Sequence, residues 1–114
     1  MWLCTKIGFY SIVKKGTPGT WQIRARVRKD LQNLVAVAKI GVSPIETPDG
    51  DYHWRIVVNA PQMARVFEIL ALSIDYPNFK NCIAQTPDQQ QKLNAYHNFW
   101  RDMLTVQHQQ KTRK

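Results

Sequence analysis

Arg24, Arg26 and Arg28, spaced two residues apart, are the side chains whose type and spacing point most clearly to chemistry. They alternate with Trp21, Ile23, Ala25 and Val27. A strand has a period of two, so the apolar set faces a core and the arginines share the other face. Guanidinium is planar, always charged, and able both to grip phosphate with two donors and to stack on a ring. A row of such groups suits a polyanion. It names a class of partner and no reaction.

The surrounding charge strengthens that reading. Residues 1 to 29 hold Lys6, Lys14, Lys15, Arg24, Arg26, Arg28 and Lys29 and no acid, the first carboxylate being Asp30. The whole chain of 114 residues has a formal net charge of +8, so most of the excess sits in this one quarter. The body from 30 to 110 is slightly acidic, and Lys111, Arg113 and Lys114 close the chain. A basic face can simply keep a sheet soluble, but a solubilising face normally mixes both signs. The absence of acids therefore favours a nucleic-acid, phospholipid or acidic-protein contact.

Other reactive residue types offer less. His53 would sit on the basic face, where nearby cations favour the neutral imidazole, a general base toward a ribose hydroxyl. No acid-bearing partner lies near it in sequence, and a plain surface histidine is the simpler reading. His97 falls on an apolar helical stripe and reads as a hydrogen-bonded core residue, and His108 lies in a polar tail. Cys4 and Cys82 form no C-x-x-C pair and, with the histidines, no zinc spacing. They read as reduced, partly buried thiols. No glycine-rich phosphate loop, G-x-S-x-G or H-E-x-x-H is present, so no cofactor and no metal is expected. Asp75-Tyr76-Pro77-Asn78-Phe79-Lys80 could be a recognition loop, but a corner closed by Tyr76 and Phe79 explains it better.

The elements that must position these groups follow from periodicity. Residues 2 to 14 read as one long strand bent or bulged at Gly8, with Leu3, Ile7, Phe9 and Val13 inward and Lys6, Tyr10 and Lys14 outward. Gly16-Thr17-Pro18-Gly19 is turn chemistry, and Trp21 to Val27 returns. Asp30 opens a helix as N-cap or first-turn acid, with Leu31, Leu34, Val35 and Ala38 at core spacing and Gly41 as its stop. Ile45 to Thr47 and Tyr52 to Val58 form a second hairpin around Pro48-Asp49-Gly50-Asp51. A helix begins at Asn59 or Ala60 with Pro61 in its first turn and carries Met63, Val66, Phe67, Leu70 and Ile74. A short helix occupies Lys80 to Ala84. Thr86-Pro87-Asp88-Gln89 reads as a capping box for a last helix carrying Leu93, Tyr96, His97, Trp100 and Leu104.

The expected fold class is α+β: two β-hairpins, each followed by helix, in a mostly antiparallel four-stranded sheet with helices on one face. A ferredoxin-like or related two-layer sandwich fits this order. Residues 1 to 106 are expected to form one domain, and 107 to 114 a basic, flexible tail. No apolar run suits a signal peptide or a membrane span, so a cytoplasmic protein without membrane contact is expected.

Several segments carry a resemblance: Met1-Trp2-Leu3-Cys4-Thr5-Lys6, Ser11-Ile12-Val13, Arg24-Ala25-Arg26, Thr47-Pro48, Asp51-Tyr52 and Ile74 to Lys80. Together they resemble a set of short, uncharacterised bacterial proteins of about this length, over roughly residues 1 to 104. The resemblance implies a stand-alone domain of bacterial or phage origin. It implies no activity, so no catalytic residue is carried over.

The function expected is a small, non-catalytic nucleic-acid-binding module, with single strands favoured and RNA among the targets. The candidate contact set is Lys6, Tyr10, Lys14, Lys15, Arg24, Arg26, Arg28, His53 and Arg55. Tyr10, with Trp2 as a further candidate, would supply stacking surfaces. The alternative is an inhibitor or accessory subunit docking on an acidic partner surface. A metal-independent nuclease using His53 stands third. Oligomeric state is not legible at this level.

Overall fold

The computed structural model describes residues 1 to 112. The chain divides into two compact units, Met1–Asp75 and Tyr76–Lys114.

The first unit is a five-stranded antiparallel sheet with two helices on one face. Its strands are β1 (Trp2–Thr5), β2 (Gly8–Val13), β3 (Thr20–Ala25), β4 (Ile45–Glu46) and β5 (Trp54–Asn59). Their order across the sheet is β1-β2-β3-β5-β4. Helices α1 (Arg28–Ala38) and α2 (Ala60–Leu72) follow β3 and β5. The α+β class, the hairpin-helix order and the one-sided helices agree with the sequence, and the strand count is five where four were expected.

The extra strand comes from residues 2 to 13, which are two strands and not one. Thr5 pairs with Gly8 across a two-residue connection, Lys6-Ile7. Gly8 marks the start of β2, not a bulge. It is needed for close packing, because a Cβ there would lie 2.5 Å from Tyr10 Oη and 2.7 Å from Asp30 Cβ. That hairpin reverses the phase expected beyond it. Gly8, Tyr10 and Ile12 face the helices, while Phe9, Ser11 and Val13 face away.

Tyr10, Ile12, Ile23, Ala25, Ile56 and Val58 pack under Leu31, Leu34, Ala38, Val66 and Leu70 to form the core. Asp30 is not an N-cap. It lies in the first turn of α1, is buried, and accepts from Phe9 N–H through Oδ2 at 3.2 Å. Tyr10 Oη donates to the Asp30 carbonyl at 2.6 Å. These bonds fasten the start of α1 to β2. The helix ends before Gly41 is reached: Lys39 takes the left-handed cap, with φ 54° and ψ 44°. Helix α2 opens as expected at Asn59, whose side chain accepts from Gln62 N–H while Gln62 accepts from Asn59 N–H. Phe67 is more exposed than its stripe position suggested.

The second unit holds α3 (Phe79–Ala84), a 3-10 turn at Gln90–Lys92 and α4 (Leu93–Thr112). Asn78 caps α3 through Asn81 N–H at 2.9 Å. No helix opens at Thr86: residues 87 to 89 form a turn before the 3-10 segment, and the Thr86 hydroxyl donates to the Cys82 carbonyl in the last turn of α3. The backbone of α4 continues as helix through Thr112, beyond the point where the polar run was expected to fray. Ile83 and Tyr96 are buried with Phe79 packed on Tyr96, but Trp100 is exposed, contrary to its stripe position. His97 is exposed too. It stacks on Trp100, with ring centroids 5.7 Å apart, and approaches Lys80 Nζ at 3.3 Å.

Among the described residues no helix is long and apolar enough to cross a membrane.

Candidate nucleic-acid interface

The sheet face turned away from α1 and α2 carries the arginines of β3 and β5. Register fixes one row across the strands: Trp2 on β1 opposite Ser11 on β2, Ser11 opposite Arg24 on β3, Arg24 opposite Arg55 on β5, and Arg55 opposite Ile45 on β4. The next row places Val13, Gln22 and Val57 side by side. Phe9 joins Trp2 in an edge-on pair with ring centroids 6.2 Å apart. Trp2 remains 65% exposed, so most of its ring is open to a ligand.

Arg24 and Arg55 on this face are held by neutral groups. Arg24 donates to Ser11 Oγ at 2.7 Å, and its guanidinium lies 4.6 Å from the Tyr52 ring. Arg55 donates to Gln22 Oε1 at 2.7 Å and to Thr47 Oγ1 at 3.2 Å. Arg26 covers Tyr52 at 4.2 Å, reaches the Asp51 carbonyl at 3.1 Å, and has the exposed Asp51 carboxylate at 3.6 Å. Tyr52 is thereby stacked by two guanidiniums and buried, outside the helix-side core cluster. Two like charges directly opposite in a sheet repel. Arg24 and Arg55 are held so by polar side chains without a carboxylate, and an anion placed over them would relieve the repulsion.

The other expected contacts scatter. Tyr10 is fully buried on the helix side, because the 6-7 turn inverts the phase of β2, so it offers no stacking surface. Lys6 lies in that turn and donates to Asp75 Oδ2 at 2.8 Å, which holds the Asp75 carboxyl below its usual range. Lys14 and Lys15 sit in the β2-β3 connection, with Lys14 5.1 Å from the Trp21 ring centroid. Arg28 is not a strand residue. It is the first residue of α1 and covers Trp54 at 5.3 Å, so the three-arginine row ends with Arg24 on β3 and Arg26 just past it. His53 is exposed ahead of β5, and its carbonyl accepts from Thr47 N–H. Cys4 is exposed where a partly buried thiol was expected, although desolvation by its neighbours pushes the thiol up, and Cys82 is half-buried. Among the described residues no group of three or more His, Cys, Asp or Glu could hold a metal ion.

Ser11, Thr47 and Tyr52 contact the arginines of this face and Phe9 lies on it beside Trp2, although sequence spacing did not select them; Gln22 was already on this face by its alternation. The available signal was Gly8: read as the start of a returning strand, it puts Phe9 and Ser11 on the arginine side.

No protein-family model matches the chain, and neither a curated protein nor a solved structure matches it.

Proposed function

We propose that the protein is a non-catalytic module that binds single-stranded nucleic acid on this sheet face. The observation that carries the reading is the row Trp2, Ser11, Arg24 and Arg55, in which an open aromatic lies beside two guanidiniums held by neutral partners. Strands are spaced by about 4.8 Å, so the row spans roughly 14 Å. That length suits a short single-stranded segment, with a base on Trp2 and phosphates on Arg24 and Arg55. Double-stranded nucleic acid keeps its bases stacked inside and cannot use the Trp2 ring in this way. Arg26 and the more distant Lys14 and Lys15 would add charge at the border. A second reading, docking on an acidic protein surface, draws on Ile45 and Val57, exposed aliphatics on the Arg55 side of the same face.

The test is a titration of single- and double-stranded RNA and DNA at several salt concentrations. Single strands are expected to bind more tightly, with affinity falling steeply as salt rises. Arg24→Ala/Arg55→Ala should weaken binding and flatten the salt slope by about one unit for each phosphate no longer neutralised. Trp2→Ala should cost about 1–3 kcal/mol, the worth of one stacked base, and leave the slope unchanged. Folding of each variant is checked by circular dichroism. No binding at low salt, or equal binding by all three proteins, removes the proposal.

A further inference from the structure

The two edges of the sheet are built differently. The β4 edge is two residues long, carries Glu46, and lies between Pro44 and Pro48. Short length, charge and proline are the usual devices that stop an edge from pairing with another chain. The β1 edge has none of them. Trp2, Leu3, Cys4 and Thr5 include no charge and no proline, and their pairing with β2 is regular. The nearest charges are the Met1 ammonium, which donates to the Ile12 carbonyl, and Lys6, which is paired with Asp75.

The hydrogen-bond phase shows which amides face outward. Met1 and Ile12 exchange both backbone bonds, at 2.8 and 2.9 Å. Alternation along an antiparallel ladder then turns the N–H and C=O groups of Leu3 and Thr5 toward β2, and those of Trp2 and Cys4 toward the outside. Met1 and Trp2, 67% and 65% exposed, leave apolar surface at the same edge.

We infer that β1 is the interface of a two-fold dimer, in which β1 of one copy adds antiparallel to β1 of a second copy. The outward amides at Trp2 and Cys4 are symmetric about Leu3. Pairing Leu3 with Leu3 of the second copy sets each Trp2 opposite Cys4 of the other, and four backbone hydrogen bonds close across the dyad. No foreign strand is needed to satisfy the edge, and the interface is self-complementary as a two-fold contact must be. The product is a ten-stranded sheet. The dyad is perpendicular to it, so the two arginine faces lie on the same side and the two Trp2-Phe9 pairs meet at its centre. A four-residue strand and one indole bury less than roughly 1,200 Å2, the range of weak, reversible contacts. The dimer therefore forms and dissociates with concentration. This inference stands apart from the nucleic-acid reading and is tested without nucleic acid.

The experiment is sedimentation velocity of the full chain across the micromolar range. The wild type should shift from monomer to dimer as concentration rises. Cys4→Lys puts an ammonium on the edge while keeping every backbone donor, and Cys4→Pro removes one outward N–H. Each should weaken self-association by at least about tenfold, with the fold retained by circular dichroism. If Cys4→Pro unfolds, Cys4→Lys alone carries the test. Met103→Asp, on the exposed apolar side of α4, should leave self-association as it is. A wild type that stays monomeric throughout overturns the inference. So does a dimer indifferent to Cys4→Lys, or one abolished by Met103→Asp.

Discussion

Arg24 shows how one side chain can be structural and available for binding at once. Its guanidinium ties β3 to β2 through Ser11 and stacks on Tyr52, yet nothing in these contacts neutralises it. A lysine could not make the same arrangement, because stacking needs the planar group. Gly8 does the opposite kind of work: it has no side chain, and that absence permits several contacts. Tyr10 Oη and Asp30 Cβ occupy the space a side chain would need. Gly8→Ala must push α1 and β2 apart, and should destabilise the first unit by about 1–3 kcal/mol, as overpacking does. Thermal melting followed by circular dichroism checks this, and an unchanged melting temperature would mean the contact yields freely.

The elements differ in how firmly sequence specified them. Asn59 and Gln62 form the reciprocal cap that their spacing implies, and Asn59→Ala should cost about 1 kcal/mol. Lys39 at the end of α1 lies in a conformation that strains any residue with a Cβ, so Lys39→Gly should gain about 1 kcal/mol. Opposite shifts in melting temperature would test both caps. Strand β3 was legible because apolar and polar residues alternate strictly along it, and β5 because Trp54, Ile56 and Val58 share one face in spite of Val57, which placed Arg24 and Arg55 on the correct face. Strand β2 was not, because Phe9, Tyr10, Ser11, Ile12 and Val13 offer apolar or aromatic residues to both faces. Its phase depended on where the chain turned, and Lys6-Ile7 carries no standard turn signal. Arg28 falls outside the row for a related reason: alternation continues in sequence past Ala25, while the backbone has already become helix. The Thr86 motif misled because a threonine hydroxyl can close the preceding helix as easily as open the next one.

At the scale of the whole molecule, charge and fold act together. The excess positive charge lies in residues 1 to 29, mostly in turns and at the start of α1, while β3 and β5 bring Arg24 and Arg55 to one surface with Trp2. The helices occupy the other side of the sheet in the first unit, so the arginine face is not spent on the core. The second unit carries its own cation and aromatic group, Lys80 over Trp100 at 4.3 Å, which gives an internal control for binding that is merely electrostatic. Binding on the arginine face is tested by a nuclear magnetic resonance titration of the labelled protein with a short single-stranded RNA. Amide shifts should concentrate at Trp2, Phe9, Ser11, Gln22, Arg24, Arg55 and Val57, together with the Trp2 indole N–H. Shifts confined to the Lys14–Gly19 connection or to α4, with the sheet face silent, would contradict it.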